Sequence, residues 1–436
     1  MGRENRAHTF FIVGQNSTKL DSSINIEWSA IMNFIWGIAG ILTVLVIALL
    51  LSNNRRAINP RTILGGLAIQ ILFAFAVLKW EAGRKALNWL TMGVNNIINY
   101  ANEGINFLFG GLFAEGSGVT YVFAFQVLPI VIFFSALISV LYYLRIMQFI
   151  IKILGGGLSW LLGTRKAESM SAAANIFVGQ TEAPLVIRPY IGQMTNSELF
   201  AVMTGGLASV AGSVLVGYSL LGVPLEYLLA ASFMAAPAGL IMAKIIFPET
   251  EQKEEPKELE MENDSDSTNV IDAAAKGASV GLQLALNIGA MLLAFIALVA
   301  LLNGLLGWIG SWFGFGDLTL QLILGYIFSP LAFAIGVPWA EAVEAGNFIG
   351  QKLILNEFVA YSSFAPEIPE LTDKTVAIIS FALCGFANIS SLAILLGGLG
   401  NLAPNRRADI ARLGIRSVIA GALASLLSAA IAGMLF

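Results

Sequence analysis

Long runs without a charged residue dominate this chain, and they leave it few ways to fold. Residues 28–52 hold no acid and no base. A helix needs roughly 20 apolar residues to cross the hydrocarbon core of a bilayer. In lipid the backbone must satisfy its own polar groups, which a helix does. Similarly apolar stretches, with at most two charged residues each, recur at 61–79, 121–151, 197–221, 224–247, 279–312, 374–400 and 410–436. The chain therefore reads as an all-α polytopic membrane protein with about eight transmembrane helices. Its 57% hydrophobic and 12% charged residues agree, since soluble proteins carry about twice that charge.

Two apolar segments are too interrupted to be spans. Residues 152–182 contain Gly155-Gly-Gly157 and Thr164-Arg-Lys166, and residues 318–361 contain Pro330, Gly336, Pro338, Glu341, Glu344 and Lys352. Each suits a re-entrant helical hairpin that enters and leaves by one face. Residues 84–113 mix Asn95, Asn96, Asn99, Asn102 and Glu103 with Trp89, Ile97, Ile98 and Phe107, the pattern of an amphipathic helix lying in the interface. Residues 1–27 form a polar tail, and the charge run within 248–278 is a solvated acidic linker.

Basic residues sit in three loops: Arg55, Arg56 and Arg61; Lys152, Arg165 and Lys166; Arg406, Arg407 and Arg412. With eight spans and two hairpins that do not cross, all three loops fall on one side, the cytoplasm. Both termini are then outside. The chain also echoes itself. Asn175-Ile-Phe-Val-Gly-Gln180 resembles Asn347-Phe-Ile-Gly-Gln351, and each echo ends a broken segment near an acid. With one hairpin entering from each side, this is an inverted repeat, the architecture of alternating access.

The polar residues in these apolar segments gather in three groups. Gln180, Thr181 and Glu182 stand together before Pro184, whose ring disfavours helix at Ala183. A carboxylate at membrane depth costs about 3 kcal/mol on insertion scales and is commonly retained for binding. This trio either reads the amide-like edge of a planar heterocycle or caps a hairpin end. Asn356 and Glu357, with Asn388 and Ser391 three apart on one helix face, suit a vicinal diol or serve as interhelical hydrogen bonds. Asn175 and Val178, with Ser209 and Val210, offer hard neutral oxygens that fit sodium better than a transition metal. One Cys (Cys384) and one His (His8) exclude disulfide frameworks, zinc sites and Cys/His nucleophiles, so the chain does not read as an enzyme. No basic patch of nucleic-acid type is present.

Four ordered motifs carry a family resemblance: Tyr100-Ala-Asn-Glu-Gly-Ile-Asn-Phe107, Gly179-Gln-Thr-Glu-Ala-Pro-Leu185, Leu355-Asn-Glu-Phe-Val-Ala-Tyr361 and Cys384-Gly-Phe-Ala-Asn-Ile-Ser-Ser391. From about residue 30 to its end the chain resembles the concentrative nucleoside transporters, and its bacterial members in layout. The resemblance implies a homotrimer that imports nucleosides on an ion gradient across the bacterial inner membrane. It assigns residues 28–151, 279–317 and 401–436 to a scaffold, and 152–247 and 318–400 to a mobile transport domain. It implies that Gln180, Thr181 and Glu182 read the base, with Val214 packed on it. Glu357, Asn388 and Ser391 would bind the ribose beside Phe386. Sodium would lie between Asn175, Val178, Ser209 and Val210, largely through main-chain carbonyls. A proton-coupled branch of the family lacks the Asn of this site, so Asn175 favours sodium coupling, with proton coupling as the alternative.

Overall fold

The computed structural model describes residues 32–114, 122–251 and 267–436. The polar tail at 1–27 and most of the acidic run lie outside them. Among the described residues the chain is helical and has no strand. The helices are α1 (Met32–Leu50), α2 (Pro60–Leu78), α3 (Glu81–Phe109), α4 (Leu128–Tyr143), α5 (Ile146–Leu162), α6 (Lys166–Ala174), α7 (Asn196–Ala208) and α8 (Gly212–Leu220). They continue as α9 (Leu225–Ile246), α10 (Val270–Ser311), α11 (Leu320–Ala334), α12 (Ala342–Ile354), α13 (Glu357–Phe364), α14 (Asp373–Leu383), α15 (Ile389–Leu402) and α16 (Arg407–Met434).

Both segments fold as paired helices joined by a turn, with bounds shifted from those expected. The first joins α5 to α6 through Gly163, whose φ of +68° is the left-handed region that glycine tolerates best. The run at 155–157 does not break the helix. Gly155 packs against α6, where an added Cβ would stand 2.8 Å from Met170 Cα. The expected span at 121–151 ends instead at Tyr143, because Arg145 adopts φ 63° and α5 begins after it. The second hairpin pairs α11 with α12. At 1.5 Å per residue the returning arms α6 and α12 are about 14 and 20 Å long, short of the hydrocarbon core.

The two turns lie at opposite ends of α1. Near its start, Trp36 Nε1 donates to Phe333 O at 2.8 Å and Lys374 Nζ to Asn33 Oδ1 at 2.8 Å, beside the turn of the second hairpin. Just past its end, Asn53 N donates to Ile246 O at 2.9 Å. Lys244, two residues earlier in α9, meets Glu168 beside the first turn at 2.6 Å. The turns of the two helix pairs therefore lie at opposite ends of α1. The basic loops gather at one of those ends. Arg61 bonds to Trp160 O and Leu161 O, Arg165 pairs with Glu198 at 3.4 Å, and Arg406 Nη2 donates to Asn196 Oδ1 at 2.9 Å.

Among the described residues, seven helices are long and apolar enough to cross a membrane, counting α7–α8 as one through its break. The eighth expected span, 374–400, is interrupted between Leu383 and Ile389, so neither half is long enough by itself. The helix expected at 279–312 starts at Val270, within the segment assigned to the linker, and runs to Ser311. It crosses α4 on small residues: an added Cβ at Gly277 or Gly281 would lie within 2.8 Å of Ser139, Ser135 or Ile132. The expected interfacial helix is α3, which buries only Leu87, Ile98, Ala101 and Ile105.

Candidate functional site

Each repeat follows one plan. A hairpin is followed by a short helix, then a helix interrupted in the middle. The interruptions are Ser209–Ala211 between α7 and α8, and Cys384–Asn388 between α14 and α15. They meet at the centre of the molecule. Phe386 N donates to Ser209 O at 3.1 Å, and an added Cβ at Gly385 would stand 3.0 Å from Ala208 O. Ser425 of α16 donates to Cys384 O at 3.4 Å. Four helix ends thus converge where the intrahelical ladders are interrupted.

The first cluster lies where α6 gives way to irregular chain. Glu182 folds back on its own segment, and its Oε2 accepts from Gly179 N at 2.6 Å. Gln180 is buried, and its Oε1 has no hydrogen-bond partner among the described residues. Thr181 packs on α15, where an added Cβ at Gly398 would stand 2.6 Å from Thr181 Cγ2. Val214 is buried in the first turn of α8. A cavity of about 390 Å³ opens beside this cluster, lined in part by Glu182, Val178, Ala211, Ser213, Tyr142 and Arg188. The sequence reading missed Tyr142, whose buried hydroxyl has no partner among the described residues. An aromatic hydroxyl in an apolar helix was the available signal.

The second cluster is tightly closed. Glu357 opens α13, Oε1 accepts from Tyr218 Oη at 3.2 Å, and Oε2 accepts from Asn388 Nδ2 at 3.0 Å. Tyr218 was not anticipated. It comes from α8 of the other repeat and stacks on Tyr361, with ring centroids 4.4 Å apart. Asn388 and Ser391 do not share a helix face as read from spacing. Asn388 is the cap of α15, its backbone is extended, and its Oδ1 accepts from Ser391 N at 2.8 Å. Phe386 is half-buried against the core. None of Glu357, Asn388 and Ser391 lines the cavity beside Glu182.

Asn175 caps the C-terminal end of α6. Its Nδ2 donates to Ser171 O at 2.9 Å, while its buried Oδ1 has no partner among the described residues. It faces the last turn of α7, 3.4 Å from where a Cβ on Gly205 would lie. Ser209 ends α7, and Val178 and Val210 lie outside any helix. The donors are neutral oxygens, and an orphaned buried acceptor is the mark of a missing partner. No group of three His, Cys, Asp or Glu suited to a metal occurs among the described residues. The set fits a weakly bound monovalent cation better than a transition metal.

Comparisons with known proteins bear on this geometry. Three family models match: "Na+ dependent nucleoside transporter N-terminus" over residues 39–112, "Nucleoside recognition" over 124–224, and "Na+ dependent nucleoside transporter C-terminus" over 227–433. An uncharacterized transporter of Bacillus subtilis, YutK, is 60% identical over 92% of this chain and 100% of its own. Nucleoside permease NupC of Helicobacter pylori is 49% identical over 93% of this chain and 98% of its own. The structure of CNTnw in an inward-facing, substrate-bound state is similar at TM-score 0.88 and 57% identity, covering 92% of this chain and 98% of that one. A variant of CNTnw in an outward-facing state matches at TM-score 0.90 and 57% identity, over 93% of this chain and 99% of that one.

Proposed function

Since this chain belongs to the concentrative nucleoside transporters, a multi-pass membrane family of carriers and not of enzymes, we propose that it is a sodium–nucleoside symporter. The orphaned Oδ1 of Asn175, facing the last turn of α7, is the observation that carries the sodium half of this reading. The ion completes the coordination that the chain leaves open between Asn175, Val178, Ser209 and Val210. Once bound, it ties the end of the first hairpin to the break in α7–α8, which also presents Val214. Sodium and nucleoside then favour one arrangement, and each raises the affinity of the other.

The two ends of a nucleoside match the two polar clusters. Its base has an edge of donors and acceptors, and the unpartnered Gln180 Oε1, Thr181 and Glu182 face that need. Its ribose carries vicinal hydroxyls, and Glu357, Asn388 and Ser391 supply carboxylate, amide and hydroxyl. Each hydrogen bond lost on leaving water and not replaced costs about 1–3 kcal/mol, so both clusters are required. Alternating access follows from the two hairpins, which do not cross the membrane and close from opposite ends. CNTnw has structures in inward-facing, outward-facing and intermediate states. The same reading places α1–α4, α10 and α16 in a scaffold, assembles three copies, and sets the chain in a bacterial inner membrane with both termini outside.

The test is tritiated uridine uptake into proteoliposomes at fixed pH, with an inward sodium gradient compared with an equal choline gradient. Accumulation with sodium alone is expected. Equal uptake in both, rising with an inward proton gradient, would overturn sodium coupling and leave the nucleoside site standing.

A further inference from the structure

Lys352 lies in the last turn of α12 and is only 2% exposed, yet neither cluster uses it. A buried ammonium is costly unless it meets partners that offset its lost hydration. Its Nζ donates to Ala382 O at 2.9 Å. Ala382 is in the last turn of α14, where carbonyls lack helical partners and the macrodipole is negative.

A place of similar arrangement in the first repeat, though not the position that the echo pairs with Lys352, is built from opposite materials. There too the end of a hairpin's returning arm faces the last turn of an interrupted helix. Asn175 at the end of α6 faces α7, as Lys352 at the end of α12 reaches α14. Residues 175–178 bring no basic side chain, only an amide oxygen with no partner. One junction presents oxygen and lacks a cation. The other supplies its own.

We propose that Lys352 is a positioning residue that acts as a tethered cation, so that the second repeat needs no soluble ion at the place where the first repeat takes sodium. This rests on the sodium reading given above for the first repeat. The ammonium fastens the end of α12 to the end of α14. It thereby sets the relative position of Glu357, which follows α12, and Asn388, which follows α14. Those two residues are already joined at 3.0 Å. The charge, and not only the bulk of the side chain, is what the junction requires.

Chemical rescue separates charge from bulk. Lys352→Ala removes the part of the side chain that propylammonium replaces, and 1-propanol has the same number of heavy atoms without the charge. In proteoliposomes at saturating sodium, Lys352→Ala is expected to raise the KM for uridine at least tenfold. Propylammonium is expected to bring it back toward wild type, and 1-propanol to leave it raised. Equal recovery with both compounds would reduce Lys352 to packing and overturn the proposal. Lys352→Met, neutral and nearly as long, gives a second reading should the alanine variant fail to reconstitute. Its KM is expected to rise tenfold or more with the elution profile of the wild type, whereas a wild-type KM overturns the proposal. Sodium-independent uptake by wild type in the same vesicles would sink the sodium reading and with it the comparison between the two junctions, whereas the rescue comparison decides separately whether the Lys352 charge positions Glu357 and Asn388.

Discussion

The Phe386 amide donates to the Ser209 carbonyl at 3.1 Å, so the two interrupted helices are hydrogen-bonded to each other at their breaks. Ser209 belongs to the proposed ion site and Phe386 to the proposed ribose site. A displacement at one break is therefore felt at the other through a single bond. Gly385→Ala tests this contact. Its Cβ would stand 2.6 Å from Ser425 Oγ and 3.0 Å from Ala208 O, and the second is backbone that has no rotamer with which to yield. Uptake is expected to fall at least tenfold, with both sodium activation and uridine KM displaced. A change in only one of them would show that the breaks act independently.

Glu357→Gln removes the charge from a carboxylate that accepts from Tyr218 and Asn388. Hydrogen bonds to a charged group contribute about 1.5–3 kcal/mol. Uridine uptake should be lost while the protein still assembles, as checked by size-exclusion chromatography. Near-normal uptake would refute the ribose assignment. Tyr218→Phe removes one donor to that charged carboxylate and should raise KM about ten- to hundredfold, a loss of roughly 1.5–3 kcal/mol.

Asn175→Ala deletes the orphaned oxygen facing α7 and should raise the sodium concentration for half-maximal uptake, with Ser209→Ala moving it in the same direction. Sodium titrations of uptake at saturating uridine measure both. An unchanged curve in the two variants would remove the proposed ion site.

The pair Lys244–Glu168, at 2.6 Å, anchors the first hairpin to α9, and both side chains are buried. Removing one partner of such a pair costs about 3–5 kcal/mol, because the other is left charged and unpaired. Lys244→Met should therefore lower the melting temperature of the detergent-solubilised protein markedly. The double variant with Glu168→Leu should recover much of the loss. A double variant as unstable as the single one would contradict this account.

The helical character and the order of the apolar segments were legible in the sequence because apolar runs of membrane length admit few other readings. The interruptions were not. Ser209–Ala211 sits among small apolar residues, and nothing local to Gly205-Gly-Leu-Ala-Ser-Val-Ala-Gly212 forbids helix. The break there is held from outside, by Phe386 across the core. Asn388 was read from its spacing to Ser391 as one face of a helix, but an Asn before a helix competes for the first free N–H groups and becomes the cap. Gln180 to Glu182 were legible because polar groups beside Pro184 are conspicuous in such a chain. Tyr218 and Lys352 were not, because their partners come from elements more than a dozen residues away in sequence.

Helix α10 runs for 42 residues, about 63 Å, and carries no charged side chain after Lys276. The hydrocarbon core is about 30 Å thick. Upright, such a helix would expose apolar turns to water at one end or both, so a lean is favoured, and its angle answers to packing against neighbouring helices as well as to the thickness of the surrounding lipid. Because α10 crosses α4 on Gly277 and Gly281, its slope is transmitted to the neighbouring helices. Bilayer composition thereby becomes a physical input to the carrier. Uptake should change measurably between vesicles of 14-carbon and 20-carbon lipids, and an identical rate in both would mean that α10 meets the membrane with its slope already fixed by the protein.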